Sequence, residues 1–175
     1  MIIAVTGKVR SGKTTAVKKV LQAIQDRAIG FYTEEIKDPK TNQRIGFKVV
    51  TTDGRESILA LKGKKGRYKI GSYSVNVEEF EKTVIPLLEE ALNQKDKIIV
   101  IDEIGKMELL SRKFTELVDK IISQRDIKAI VTVPLKDVHP IVKKIKTSPD
   151  TILIHLTPSN RDQIPKKILE ILDER

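Results

Sequence analysis

The sequence predicts an α/β domain: a mostly parallel sheet with helices on both faces and an antiparallel hairpin insertion. Three observations predict it. Strand-like apolar runs alternate with helix-like amphipathic runs; a glycine-rich stretch, Gly7 to Thr14, joins the first strand run to the first helix run; and a later apolar run, Ile98 to Ile101, ends on two acids, Asp102 and Glu103. Alternation of this kind builds parallel strands joined by helical crossovers. At 175 residues the chain has the length of one such domain, and one domain over 1–175 is expected.

The first strand is the run Ile2-Ile3-Ala4-Val5. From Thr15 to Ala28, apolar residues at Ala16, Val17, Val20, Leu21 and Ile24 recur every three or four positions, the stripe of a half-buried helix. Ile29 to Thr33 and Arg44 to Thr51 flank a turn at Asp38-Pro39-Lys40-Thr41-Asn42, and Ser57 to Leu61 follows Asp53-Gly54. These three runs read as antiparallel hairpin strands. Gly63 to Gly71 has no periodic apolar face and reads as a mobile loop. A helix over Glu78 to Leu92 follows, with Pro86 expected to kink or break it. Four consecutive apolar residues, Ile98 to Ile101, mark a strand buried on both faces. Then come a helix over Phe114 to Ile122, a strand over Ile127 to Val133, a short helix over Val138 to Ile145, a strand over Thr151 to Leu156 and a closing helix over Asn160 to Leu172.

The stretch Gly7-Lys8-Val9-Arg10-Ser11-Gly12-Lys13-Thr14 reads G-x-x-x-x-G-K-[ST], the phosphate-binding loop, in its proper strand-to-helix setting. A loop that wraps a triphosphate turns several backbone N–H groups onto one anion, so glycines stand where a Cβ would block the approach. Lys13 is placed to reach the β- and γ-phosphates, and the Thr14 hydroxyl to ligate Mg²⁺. The N-terminus of the following helix, through Thr15, adds its positive end. Asp102, at the end of a buried strand, fits a carboxylate that holds Mg²⁺ through water. Glu103 points elsewhere and is the candidate general base for a water aimed at the γ-phosphorus. A cation is also wanted on the transferring phosphoryl group; the candidates are Arg10, nearest the phosphates in sequence, and Lys106, Arg112 and Arg161, each of which could instead contact the base. Asp102-Glu103-Ile104-Gly105 also fits the D-x-x-G element of switch GTPases, but the guanine-reading N-K-x-D is absent.

Composition narrows the classes. The chain has no Cys and two His, which excludes disulfides and thiolate metal sites. His139 and His155 lack a partner at ligand spacing and read as surface or strand-end residues. The loop follows four apolar residues too closely for a signal peptide or membrane span, so a soluble, cytoplasmic protein is expected; a monomer is expected as well. A charged fraction of 33%, rich in Lys and Glu, resembles hyperthermophile usage. The net charge of +9 is densest at Lys62 to Lys69, but aromatic residues make up only 4%. A stacking platform for nucleic acid therefore has little material, and solvated Lys faces account for the charge.

Several further stretches carry a resemblance: Gly30 to Glu35, Arg44-Ile45-Gly46-Phe47, Tyr73-Ser74-Val75-Asn76, Ile101 to Leu109, and Asn160-Arg161-Asp162. In these and in their order, the chain resembles the small thermophilic nucleoside-triphosphatases and their vertebrate cancer-related relatives. The resemblance implies a RecA-like P-loop fold with an additional strand between the phosphate-loop strand and the Asp-Glu strand. It implies Mg²⁺-dependent hydrolysis of nucleoside triphosphates with broad base tolerance. Gly7 to Thr14 are then the triphosphate cradle, and Ile101, Asp102, Glu103, Ile104 and Gly105 the second nucleotide segment. The family usually has Pro-Gly inside the loop where Val9-Arg10-Ser11 stand here. Two other readings fit the same cradle: a phosphotransferase with a lid from the hairpin insertion or the Gly63 to Gly71 loop, and a nucleotide-gated nucleic-acid binder using the Lys64 region.

Overall fold

The computed structural model describes residues 1–174. Along the chain come β1 (Ile2–Gly7), α1 (Lys13–Ile24), β2 (Ala28–Lys37), β3 (Arg44–Thr51), β4 (Glu56–Lys62), β5 (Lys69–Ile70), β6 (Tyr73–Val75), α2 (Val77–Ala91), β7 (Ile98–Ile101), α3 (Arg112–Ile122), β8 (Lys128–Pro134), α4 (Pro140–Thr147), β9 (Thr151–His155) and α5 (Ile164–Asp173). All strands join one nine-stranded sheet, in the order β5-β6-β4-β3-β2-β7-β8-β1-β9. The pairs β2–β7, β7–β8, β8–β1 and β1–β9 are parallel, while β2–β3, β3–β4, β4–β6 and β5–β6 are antiparallel. The parallel frame expected from the alternation is present, and the hairpin insertion extends it through β2, which belongs to both halves. Strand β8 lies between β1 and β7, where the resemblance places its additional strand.

Side chains of neighbouring strand residues point to opposite faces, and the two cores follow that alternation. On one face Ile2, Ala4, Ile99, Ile101, Ala129 and Val131 meet Phe80 and Leu88 of α2, Phe114 of α3 and Ile141 of α4. On the other, Ile3, Val5, Ile98, Val100 and Ile130 meet Val17 and Val20 of α1 and Ile168 of α5. Helices thus cover both faces of the parallel half. Phe31, Phe80 and Phe114 pack edge to face, their ring centroids 5.1 to 6.1 Å apart. Such pairs add about 0.5–1.5 kcal/mol each beyond burial. They lock α2 and α3 onto β2 beneath the strand ends that carry the acids.

Several elements differ from expectation; the short helix expected over Val138 to Ile145, for example, is α4, Pro140–Thr147. Helix α1 stops at Ile24, not Ala28, because Gln25 turns to φ 47° and its N–H bonds back to the Leu21 carbonyl. Ala28 is instead the first residue of β2, paired with Ile98. Pro86 neither ends nor breaks the assigned run of α2, which continues from Val77 to Ala91. Pro86 is exposed, so the carbonyl its missing N–H leaves free, that of Lys82, faces water. Within Gly63 to Gly71, Lys69 and Ile70 form the edge strand β5 against Ser74 and Tyr73. The closing helix starts at Ile164, and Asn160 to Gln163 form a turn. His139 caps α4: its Nδ1 accepts from the Ile141 N–H at 3.1 Å.

Candidate active site

Strands β1, β8 and β7 run side by side and parallel, so the loop after β1 and the acids after β7 emerge at the same edge of the sheet. That edge, outside the carboxyl ends of parallel strands, is where open α/β sheets take ligands. Glycine permits the close turn of the loop at two points. A Cβ on Gly7 would lie 2.6 Å from the Leu156 carbonyl oxygen and 2.7 Å from Ser11 Oγ. Gly12, the residue before α1, sits at φ 108°, a left-handed conformation that side-chain-bearing residues avoid.

Two contacts join the loop to the acids across about half the chain. Lys13 Nζ donates to Glu103 Oε2 at 2.9 Å, and Thr14 Oγ1 donates to Asp102 Oδ2 at 2.8 Å. The sequence separations are 90 and 88 residues. Lys13 also lies 3.4 Å from the Val133 carbonyl. Asp102 is 2% exposed and accepts further bonds from Thr132 Oγ1 at 2.6 Å and the Thr33 N–H at 3.3 Å. No cation pairs with it among the described residues. Burial raises its carboxyl from the ordinary 3.8 to about 6, against the lowering effect of the Thr132 and Thr14 hydroxyls.

The turn after β7 is held by the Ile104 N–H on the Thr132 carbonyl at 3.0 Å and by the Gly105 N–H on Glu108 Oε1 at 3.2 Å. Glu108 is a buried acid, 5% exposed. Burial first, and then the Glu103 carboxylate, push its carboxyl from 4.5 up to about 8. A Cβ on Gly105 would lie 3.1 Å from Glu108 Oε1 and 3.4 Å from Glu103 Oε1, so the two acids flank one glycine. Ser11 Oγ and Thr6 Oγ1 are buried with no hydrogen-bond partner among the described residues. Ser11 belongs to the segment where this loop departs from the usual Pro-Gly pattern.

The remaining sequence candidates divide. Lys8, Val9 and Thr15 are exposed along the loop and helix start. Arg10, at φ 63°, is exposed, with Nε 4.0 Å from Glu35 of β2. Arg161 lies beside the loop, its Cδ 3.6 Å from the point a Gly12 Cβ would occupy. Lys106 is exposed on the turn after Gly105. Arg112 does not join the loop: it pairs with Glu116 at 3.1 Å and lines a separate cleft of about 860 Å³ with Lys64, Arg67 and Tyr68. Ile101 and Ile104 are buried supports. Sequence reasoning gave no role to Thr132 or Glu108, although each was a lone polar or charged residue in an apolar setting, Ala129 to Val133 and Met107 to Leu110.

The profile of a family described as NTPase matches residues 2–169. The chain belongs to that family. It is 47% identical to the nucleoside-triphosphatase THEP1 of Aquifex aeolicus over 99% of each chain. It is 32% identical to the cancer-related nucleoside-triphosphatase homolog of Mus musculus, over 97% of this chain and 95% of the relative. The crystal structure of the Aquifex aeolicus THEP1 superimposes with a TM-score of 0.91 at 45% identity, covering 98% of this chain and 99% of that one. The solution structure of a human cancer-related nucleoside triphosphatase gives 0.81 at 30% identity, over 98% and 97%. The family thus carries this α/β fold, including the antiparallel extension, over essentially the whole chain. No helix among the described residues is long and apolar enough to cross a membrane.

Proposed function

We propose that this protein is a Mg²⁺-dependent nucleoside-triphosphatase with broad base tolerance, acting as a soluble cytoplasmic monomer. The observation that carries the reading is the pair of contacts Lys13–Glu103 and Thr14–Asp102 at one sheet edge. Names of relatives over the full chain, such as nucleoside-triphosphatase THEP1 of Aquifex aeolicus, support the same activity.

In this reading the loop amides from Gly7 to Thr14 hold the β- and γ-phosphates. Lys13 exchanges Glu103 for phosphate oxygens, since a polyphosphate offers it more negative charge than one carboxylate. Its release leaves Glu103 free to accept a proton from water. The water oxygen bonds to the γ-phosphorus, the bond from that phosphorus to the β–γ bridging oxygen breaks, and nucleoside diphosphate and inorganic phosphate leave. Donors already fixed along the loop stabilise the charge on the transferring group without reorganising. Arg10 adds a further cation on the acid side of the loop.

The oxygen donors Thr14 and Asp102 suit a small, hard cation. When bound, Mg²⁺ neutralises charge on the phosphoryl oxygens. Asp102, buried without a cation partner, is the carboxylate with most to gain from it.

The test is an initial-rate panel of ATP, GTP, CTP and UTP, with Mg²⁺ and with the metal chelated. Release of phosphate from all four, abolished by chelation, is expected. No release from any triphosphate would overturn the hydrolase reading, and hydrolysis of one base alone would overturn the breadth.

A further inference from the structure

The turn after β9 is pinned against the phosphate loop. Asn160 Oδ1 accepts from the Thr157 N–H at 2.8 Å, and its Nδ2 donates to the His155 carbonyl at 2.8 Å. The Arg161 N–H donates to the Thr157 carbonyl at 3.0 Å, and the Leu156 N–H to the Thr6 carbonyl at 2.8 Å. These bonds bring Leu156 and Arg161 to Gly12, with Arg161 Cδ 3.6 Å and Leu156 Cδ2 3.9 Å from where a Cβ would project. The arginine stem therefore packs against the loop at Gly12, at ordinary van der Waals distance. Arg161 is exposed and forms no ion pair among the described residues.

The sheet order fixes which end of a substrate this cation meets. A triphosphate is a chain with two ends, and Lys13 and Thr14 direct its γ end toward Glu103 and Asp102 at the end of β7. β7 lies on one flank of β1 and β9 on the other. On the hydrolase reading, the nucleoside end would then run over Gly12 toward the β9 flank. Arg10 leans the opposite way, toward Glu35 of β2, which leaves Arg161 as the cation on the nucleoside side.

Resting on the hydrolase reading above, we infer that Arg161 is a binding residue for the nucleoside end, its guanidinium stacking on the face of the base. A planar cation attracts any aromatic face and reads no base edge, so the contact adds affinity equally for purines and pyrimidines.

The experiment compares wild type, Arg161→Ala and Arg161→Lys with ATP and CTP, and measures inhibition by inorganic tripolyphosphate, which has the phosphates without sugar or base. Arg161→Ala is expected to raise KM for both nucleotides about five- to tenfold. It leaves kcat within twofold and the tripolyphosphate inhibition constant unchanged. Arg161→Lys falls between, because an ammonium group has no plane to stack. An unchanged KM, a fall in kcat at constant KM, or equal weakening of tripolyphosphate overturns the assignment. If wild type turns over no triphosphate, the hydrolase reading fails separately; the Kd ratio of a fluorescent nucleotide to tripolyphosphate, compared between wild type and Arg161→Ala, then decides Arg161.

Discussion

The parallel half and the antiparallel extension of the sheet treat charge in opposite ways. At the C-terminal edge of β1, β8 and β7, three acids are crowded together. Asp102 and Glu108 are buried, and the one strong ion pair, Lys13–Glu103, spans 90 residues. In the extension the charges are solvated and paired with near neighbours, as in Arg55–Asp53 and Lys48–Glu56. In the cleft beyond β4, Arg112 is likewise taken by its neighbour Glu116. Exposed pairs of this kind are worth about 0–1 kcal/mol, whereas a buried carboxylate left short of a cation is expensive and persists only where something compensates. Location of charge, and not the net +9, is what marks the functional edge.

The comparison breaks most sharply at Lys13. Lys13→Ala removes the cation that the proposed reading assigns to the phosphates, and kcat/KM is expected to fall on the order of 10³-fold. Retention of half the wild-type rate would show that the loop is not a phosphate site.

Glu108 tests whether the crowded acids strain the fold. Its folded pKa, about 8, is raised above the ordinary 4.5. Below 4.5 both states hold the proton; between 4.5 and 8 the unfolded chain releases it while the folded chain keeps it. Stability from this group is therefore lost as pH rises through that window, at about 1.4 kcal/mol per pH unit. Glu108→Gln stays neutral and keeps an acceptor for the Gly105 N–H. Its denaturation midpoint in guanidinium should gain on wild type progressively from pH 5 to 8, and parallel midpoints over that range would contradict the burial argument.

The smallest effect is expected in the extension. Lys64→Ala combined with Lys65→Ala alters a cleft whose lining includes neither the phosphate loop nor Asp102, Glu103 or Glu108, so kcat and KM for ATP should stay within twofold. A tenfold change in either would mean that the two regions communicate.

Much of this was legible in the chain. The strand run into Gly7 and the acids after Ile101 marked the two strand ends, and the consecutive apolar runs pointed to a sheet covered on both faces. Hydrophobic patterning, however, does not announce where a helix is stopped by one positive-φ residue, as at Gln25, or that an exposed proline is tolerated, as at Pro86. Nor does it pair distant residues. The Thr132 hydroxyl on Asp102 spans 30 residues, and only the order of β7 and β8 brings them together. Arg112 and Arg161 looked equivalent as isolated cations, and the sheet order separated them by flank.

The central claim is that the loop and the acidic strand end serve one hydrolytic reaction, and Glu103→Gln tests it most directly. With the proton acceptor replaced by a neutral amide of the same shape, single-turnover hydrolysis of bound ATP should slow by about 10²-fold or more while nucleotide affinity changes little. Hydrolysis at the wild-type rate in that variant would contradict the account.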